Sequence, residues 1–389
     1  MSGYKRYIGT GVLVGAAAAA AYVASRRVAD SVPSLVNWSR VRSVALSGRR
    51  QGAGEVVAEE RDELERRYAH RVGMSEALIA EYIGRELPQK LTQVHVFGRG
   101  EWIDANIANF QLLFAPFERV HEDSLAGASA GARLFGGFNQ LFLSQQMGIL
   151  LRYLAQRVLG QYDLALLGHE PLTGGRLYFV EPNIAQLQQR LNLDGEEFRL
   201  WIALHETTHA YEFEANPWLR RYMNELISGY FENVSADFSS FRTDRNALVS
   251  LLWRMAGNAL SSDYLLEWVM TAGQRAIFRR MQALMCLLEG YSNHVMQEVG
   301  AKLLPSYAIM KARFEERAKD KPPGERLFTK LVGLDIKFEQ YTLGERFVGE
   351  VVRQRGIEFI NRVWDAEARL PTLEEVKAPG RWIERISLA

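Results

Sequence analysis

His205-Glu206-Thr207-Thr208-His209 places two imidazoles four residues apart, with a carboxylate directly after the first. A helix advances about 100° per residue, so side chains four apart lie about 40° apart on one face. On a helix both histidines could hold one zinc ion, and Glu206 could take a proton from a water on that ion. This is an arrangement for hydrolysing amide bonds. A hydrolytic zinc centre commonly takes three protein ligands and keeps a fourth position open. A histidine six residues beyond His209 would supply the third in one extended form of the motif. Here Glu212 stands where that form needs glycine and Ala215 where it needs histidine.

Glu289 is the stronger choice for the third ligand. It falls on the mostly apolar stripe Met281, Leu284, Met285, Leu288, Ser292, Val295 and Met296. A buried carboxylate needs a partner, and a metal would be one. Gly290 beside it would allow a second helix to approach closely. The competing reading pairs Glu289 with Arg279 or Arg280. His294 is the next choice for the ligand, although it lies about 140° around the helix from Glu289. Tyr291 and His294 are also candidates for contacts to an oxyanion or substrate.

The zinc-motif helix carries its own start and stop. Asp194 is a suitable N-cap, and Glu197 three residues later has capping-box spacing. Phe198, Trp201, Ile202, His205, Thr208, His209 and Phe213 form one stripe at three- and four-residue spacing, and Asn216-Pro217 ends it. Gly174 to Val180 is the clearest strand, opened by glycines and closed by Pro182. Its edge could bind a peptide backbone by strand addition. Further helices are expected over Ser75 to Leu87, Trp102 to Val120 and Asn139 to Gly160, with a loop or small-residue turn over Ser124 to Gly137. The fold class is mainly α with a small β component.

Composition fits an ordinary folded protein, with 48% hydrophobic and 24% charged residues. A net charge of +1 offers no electrostatic footprint for nucleic acid, so none is expected as a partner. The single cysteine, Cys286, excludes an intrachain disulfide and sits in an apolar helical run, where a core thiol is expected.

Residues 1–28 form an apolar segment whose part from Tyr7 to Ala24 carries no charge, flanked by Lys5, Arg6, Arg26 and Arg27. Eighteen such residues could cross a bilayer as one helix. The segment is read as a membrane anchor, against a cleaved signal peptide or a soluble alanine-rich leader. Membrane association through it is the expected localisation, with a cytoplasmic protein as the alternative. Residues 29–75 read as a charged helical linker region, with Glu59, Glu60 and Glu63 on an exposed face, and 76–389 as the catalytic domain.

Several ordered landmarks resemble a known family. They are Val36-Asn37-Trp38, Val158 to Asp163, Phe179 to Asn183, Phe198 to His209, Pro217 to Arg220, Leu288-Glu289-Gly290, Lys337 to Gly344, Leu370-Pro371-Thr372 and Pro379 to Arg385. Together they look like the zincin-like metallopeptidases of type 2, a group associated with deazaflavin coenzyme biosynthesis. The resemblance runs from about Val36 to the C-terminus; Tyr291-Ser292 stands where the family pattern has His-Ala. It implies a zincin-type helical fold and zinc peptidase activity on a peptide or protein substrate. It further implies His205 and His209 as ligands, Glu206 as the catalytic base and Glu289 as the third ligand. Two other classes stay open: a zinc hydrolase of small amides or esters, and a membrane-tethered interaction protein with a structural or vestigial zinc site.

Overall fold

The structure, a computed structural model, describes residues 33–47, 54–126, 130–162, 175–243, 270–319 and 335–388. The apolar N-terminal segment lies outside them. Among the described residues no helix is long and apolar enough to cross a membrane.

In chain order the elements are α1 (Trp38–Leu46), α2 (Ala58–Ile83), β1 (Gln93–Phe97), α3 (Arg99–Ala126), α4 (Ala130–Ala155), β2 (Gly160–Tyr162), β3 (Arg176–Val180) and α5 (Glu181–Arg190). They continue with α6 (Gly195–Glu214), α7 (Pro217–Thr243), α8 (Ala272–Leu303), α9 (Tyr307–Lys319), α10 (Asp335–Arg355), α11 (Ile357–Asn361), α12 (Leu373–Lys377) and α13 (Pro379–Leu388). The fold is mainly α with one small sheet. The chain divides into two compact units, Met1–Ala53 with Gly100–Arg157, and Gly54–Arg99 with Val158–Ala389.

In the first unit α1 lies along α4. Asn37 caps α1 by accepting from the Arg40 amide, and its own amide donates to Ser144 Oγ at 2.9 Å. Gly148 of α4 permits the contact, because a Cβ there would stand 2.5 Å from Val44 Cβ. The turn expected over Ser124 to Gly137 is helix instead up to Ala126 and again from Ala130. Alanine is the best helix former, and it offsets part of the cost of about 1 kcal/mol that each glycine imposes.

The second unit holds the sheet, with strand order β1-β3-β2. β1 runs parallel to β3, with Val96 opposite Phe179, and β2 runs antiparallel on the other side, with Gly160 opposite Phe179. β3 therefore has both edges occupied, and the expectation that it binds a peptide by strand addition fails. Its four consecutive buried residues, Leu177 to Val180, are those of a central strand covered on both faces.

The core gathers around α6, α8 and the sheet. Helix α2 packs its inner face there. Tyr68 is fully buried, stacks on Phe179 with ring centroids 4.1 Å apart, and donates to Glu181 Oε2 at 2.6 Å. Its outer residues Glu59, Glu60 and Glu63 stay exposed. At the C-terminus Trp382 of α13 is fully buried, edge-on to Phe347 and Phe359. The C-terminal helix thus contributes Trp382, Ile383 and Ile386 to the core.

Candidate metal centre

Helix α6 starts where its sequence indicates. Asp194 accepts from the amides of Glu196 at 3.0 Å and Glu197 at 2.9 Å. The Glu197 carboxylate does not complete a capping box. It accepts from the backbone amide of Ser306 at 2.8 Å and its hydroxyl at 2.6 Å, tying the helix start to the turn before α9. Phe198, Ile202, Ala203 and Leu204 are buried, so α6 is rooted in the core along the turns that lead to His205.

Helix α8 crosses beside it and brings Glu289 to the two histidines. Glu289 Oε2 lies 3.9 Å from His205 Nε2 and 3.9 Å from His209 Nε2. The imidazoles stand nearly edge-on, with centroids 4.6 Å apart. The reading that pairs Glu289 with Arg280 does not describe this site, since Arg280 donates to Glu367 Oε1 at 2.8 Å and Tyr222 OH at 3.1 Å. Next to Glu289, α8 and α10 cross at two glycines. A Cβ on Gly290 would stand 2.2 Å from the Gly344 carbonyl carbon. Cys286 is a buried core thiol one turn before Glu289.

The other ring nitrogens are occupied. His209 Nδ1–H donates to Glu212 Oε2 at 2.8 Å. His205 Nδ1 lies 2.9 Å from Ser292 Oγ and 3.0 Å from Met296 Sδ, both on α8. Engagement of Nδ1 fixes each ring and leaves Nε2 to face Glu289, the usual outer-sphere pattern of a histidine ligand. Burial disfavours the His209 imidazolium, but Glu212, then Glu289 and Glu206, outweigh it and push its pKa up to about 9. Burial also pushes the Glu212 carboxyl up to about 7, against the pull of His209.

Tetrahedral coordination with bonds of about 2.1 Å would set ligand atoms about 3.4 Å apart. The two 3.9 Å separations are close to that spacing. Among the described residues this is the group of three whose ligand atoms all lie within 4.8 Å of one another. Two imidazoles and one carboxylate on rigid helices could hold a metal ion.

Glu206, next to His205 on α6, is buried with its carboxylate against Gly160 of β2. Tyr291 and His294 point their polar atoms elsewhere. The Tyr291 hydroxyl donates to Asn361 Oδ1 at 2.7 Å, and burial pushes the phenol far above its ordinary value. His294 Nε2 is 2.7 Å from Tyr82 OH, and burial pushes the imidazole down.

The sequence reading assigned no role at the centre to Glu212, Ser292 or Gly160. Only Glu212 carried a local signal, an acidic residue three positions after His209 and hence on the same helix face.

The profile of the zincin-like metallopeptidase family matches residues 36–383. A crystal structure of a candidate hydrolase with a novel fold from Chloroflexus aurantiacus is similar at 40% identity. The similarity covers 90% of this chain and 99% of that one, with a TM-score of 0.66. No curated protein matches. With the family profile spanning nearly the whole chain and a three-residue group on α6 and α8 able to hold a metal, the protein belongs to the zincin-like metallopeptidases.

Proposed function

We propose that the protein is a zinc-dependent peptidase whose metal is held by His205 Nε2, His209 Nε2 and a Glu289 carboxylate oxygen. The supporting observation is the approach of Glu289 Oε2 to within 3.9 Å of both imidazole nitrogens, with Glu206 buried on the same helix. When bound there, zinc supplies Lewis acidity that lowers the pKa of a water and polarises a carbonyl.

Glu206 acts as general base. Its carboxylate takes a proton from the attacking water and later delivers it to the leaving amine. Glu212 and Ser292 keep the histidine rings oriented during turnover, and the Gly290–Gly344 crossing holds Glu289 in place. Tyr291 and His294 are assigned no step.

The test is cleavage of an unbiased peptide library by zinc-loaded protein beside two variants. Glu206→Gln should keep its zinc and lose about 10²-fold to 10⁴-fold in kcat. Glu289→Ala should lose zinc. Full activity in the first variant refutes the general base, and full zinc occupancy in the second removes Glu289 from the ligand set. A zinc-loaded wild type that cuts no library peptide yet hydrolyses small amides or esters would replace the substrate class.

A further inference from the structure

We infer that Gly160 is the positioning residue for the catalytic carboxylate: the missing side chain at the start of β2 is the space that Glu206 occupies. This rests on Glu206 as general base.

A Cβ on Gly160 would stand 2.6 Å from Glu206 Cγ and 2.7 Å from both Cδ and Oε1. Real Cβ atoms essentially never approach heavy atoms outside their own stretch of chain closer than 3.0 Å. The glycine is not there for its backbone freedom. Among the described residues the glycines with positive φ are Gly54, Gly84 and Gly356. Alanine could adopt the Gly160 backbone, so the requirement is for space. A glycine inside a strand commonly marks such a close approach.

The strand cannot yield easily. Gly160 pairs with Phe179 of β3. The Val180 amide donates to Leu159 O at 2.8 Å, and Asn183 Nδ2 donates to Val158 O at 2.7 Å. At the other end Tyr162 stacks on Phe213 with centroids 5.5 Å apart and donates to Glu214 Oε1, while Arg220 donates to the Tyr162 hydroxyl at 2.9 Å. Val158 to Tyr162 is thus tied to β3, α5, α6 and α7.

The three atoms nearest the added Cβ all belong to the end of the Glu206 side chain, and none is backbone. Helix α6 therefore need not move, and the carboxylate must. The supports of the metal ligands are separate: Glu212 for His209, Ser292 for His205 and the α8–α10 crossing for Glu289. A methyl group at position 160 should displace the base and leave the ligand set intact. Val158 to Asp163, a sequence landmark with no part in the ligand set, thereby acquires a role.

The experiment compares wild type, Gly160→Ala, Glu206→Gln and the double variant, each loaded with zinc. Gly160→Ala should keep zinc affinity within about threefold of wild type, as expected when the ligands' own supports are untouched. It should lose about 10²-fold in kcat, the scale of a 1 Å misplacement of a reacting group, with KM little changed. Acetohydroxamate, which chelates zinc and shares its hydroxyl proton with the base, should bind about tenfold more weakly, because that shared proton is lost. The double variant should be no slower than Glu206→Gln alone. A crystal structure of Gly160→Ala should show the carboxylate displaced.

Full activity in Gly160→Ala beside an inactive Glu206→Gln overturns this inference alone. So does a Gly160→Ala that loses zinc or melts far below wild type, since the glycine would then serve the fold. Full activity in Glu206→Gln overturns the general-base reading, and the catalytic role of Gly160 falls with it even where the carboxylate is displaced.

Discussion

Replacing Gly344 by alanine should loosen the metal centre although residue 344 is not one of the candidate ligands. The added Cβ would stand 1.9 Å from Cys286 O and 3.0 Å from Gly290 Cα. Both obstacles are backbone atoms of α8, so no rotamer relieves the contact. Restoring even a 3.0 Å separation from Cys286 O requires the helices to part by 1.1 Å (3.0 − 1.9). Glu289 lies on α8 next to Gly290, and its Oε2 is 3.9 Å from each imidazole Nε2. A shift of that size in α8 is about a quarter of those separations and would disturb the spacing of the three ligand atoms. Overpacking costs about 1–3 kcal/mol, and more where backbone must move. Alanine's better helix propensity returns about 1 kcal/mol. The net loss should be about 2 kcal/mol in stability, and zinc affinity should fall about 10-fold to 100-fold, the scale seen when a ligand's support is removed.

Chemical denaturation and zinc competition against a chromophoric chelator measure the two effects. Gly349→Ala is the internal control: it lies on the same helix, and nothing stands within 4 Å of its added Cβ. That variant should be neutral or more stable by about 0.5–1 kcal/mol, with zinc affinity unchanged. If Gly344→Ala matches Gly349→Ala in both measurements, the helix crossing does not set the position of Glu289.

Other perturbations separate the remaining contributions. Glu212→Gln keeps an acceptor for His209 Nδ1–H but removes its charge, and isothermal titration should show zinc binding about tenfold weaker. An unchanged affinity would limit Glu212 to packing. Because metal-free His209 holds its proton up to about 9, zinc must displace that proton at lower pH. Conditional zinc affinity should therefore rise with pH by up to about tenfold per unit until it levels near that value, with proton release seen in buffers of different ionisation enthalpy. Removing zinc with a chelator should lower the melting temperature, and added zinc should restore it in a concentration-dependent way.

Glu375 tests a distant part of the fold. Burial would raise its carboxyl, but the Arg385 guanidinium at 2.7 Å and 3.0 Å and the Thr372 amide hold it below the ordinary range. A depressed folded pKa contributes stability that is fully present above the unfolded value of about 4.3 and is lost as pH falls through the folded one. The stability gap between wild type and Glu375→Gln should narrow over that acid range. A gap independent of pH would refute the ion pair's contribution.

Local signals foretold several elements because they reside in residues close together in the chain. Asp194 before an apolar stripe marked the start of α6. The stripe placed His205 and His209 on one face, and β-favouring residues after a glycine turn marked β3. These patterns depend on periods of two and 3.6 residues and on caps. Glu289 stood out as a carboxylate on an apolar stripe, but whether it met a metal group or an arginine depended on which helix crossed α8. Glu197 had capping-box spacing, yet Ser306, more than a hundred residues away, took its carboxylate. The strand order was likewise outside any local pattern: a buried run of residues is compatible with several sheet positions, and only pairing with β1 and β2 made β3 central.

The sequence by itself determined the inventory of the centre, two imidazoles and a carboxylate on one helix, and the apolar stripes that would bury them. Tertiary structure decided how that inventory is assembled: Glu289 at two nitrogens, Glu212 and Ser292 at the other two, and Gly160 against Glu206. Those arrangements come from close approaches between segments far apart in the chain, which leave no period in either segment. The glycines show this most clearly, since Gly160, Gly290 and Gly344 act through the space that a neighbouring element takes up.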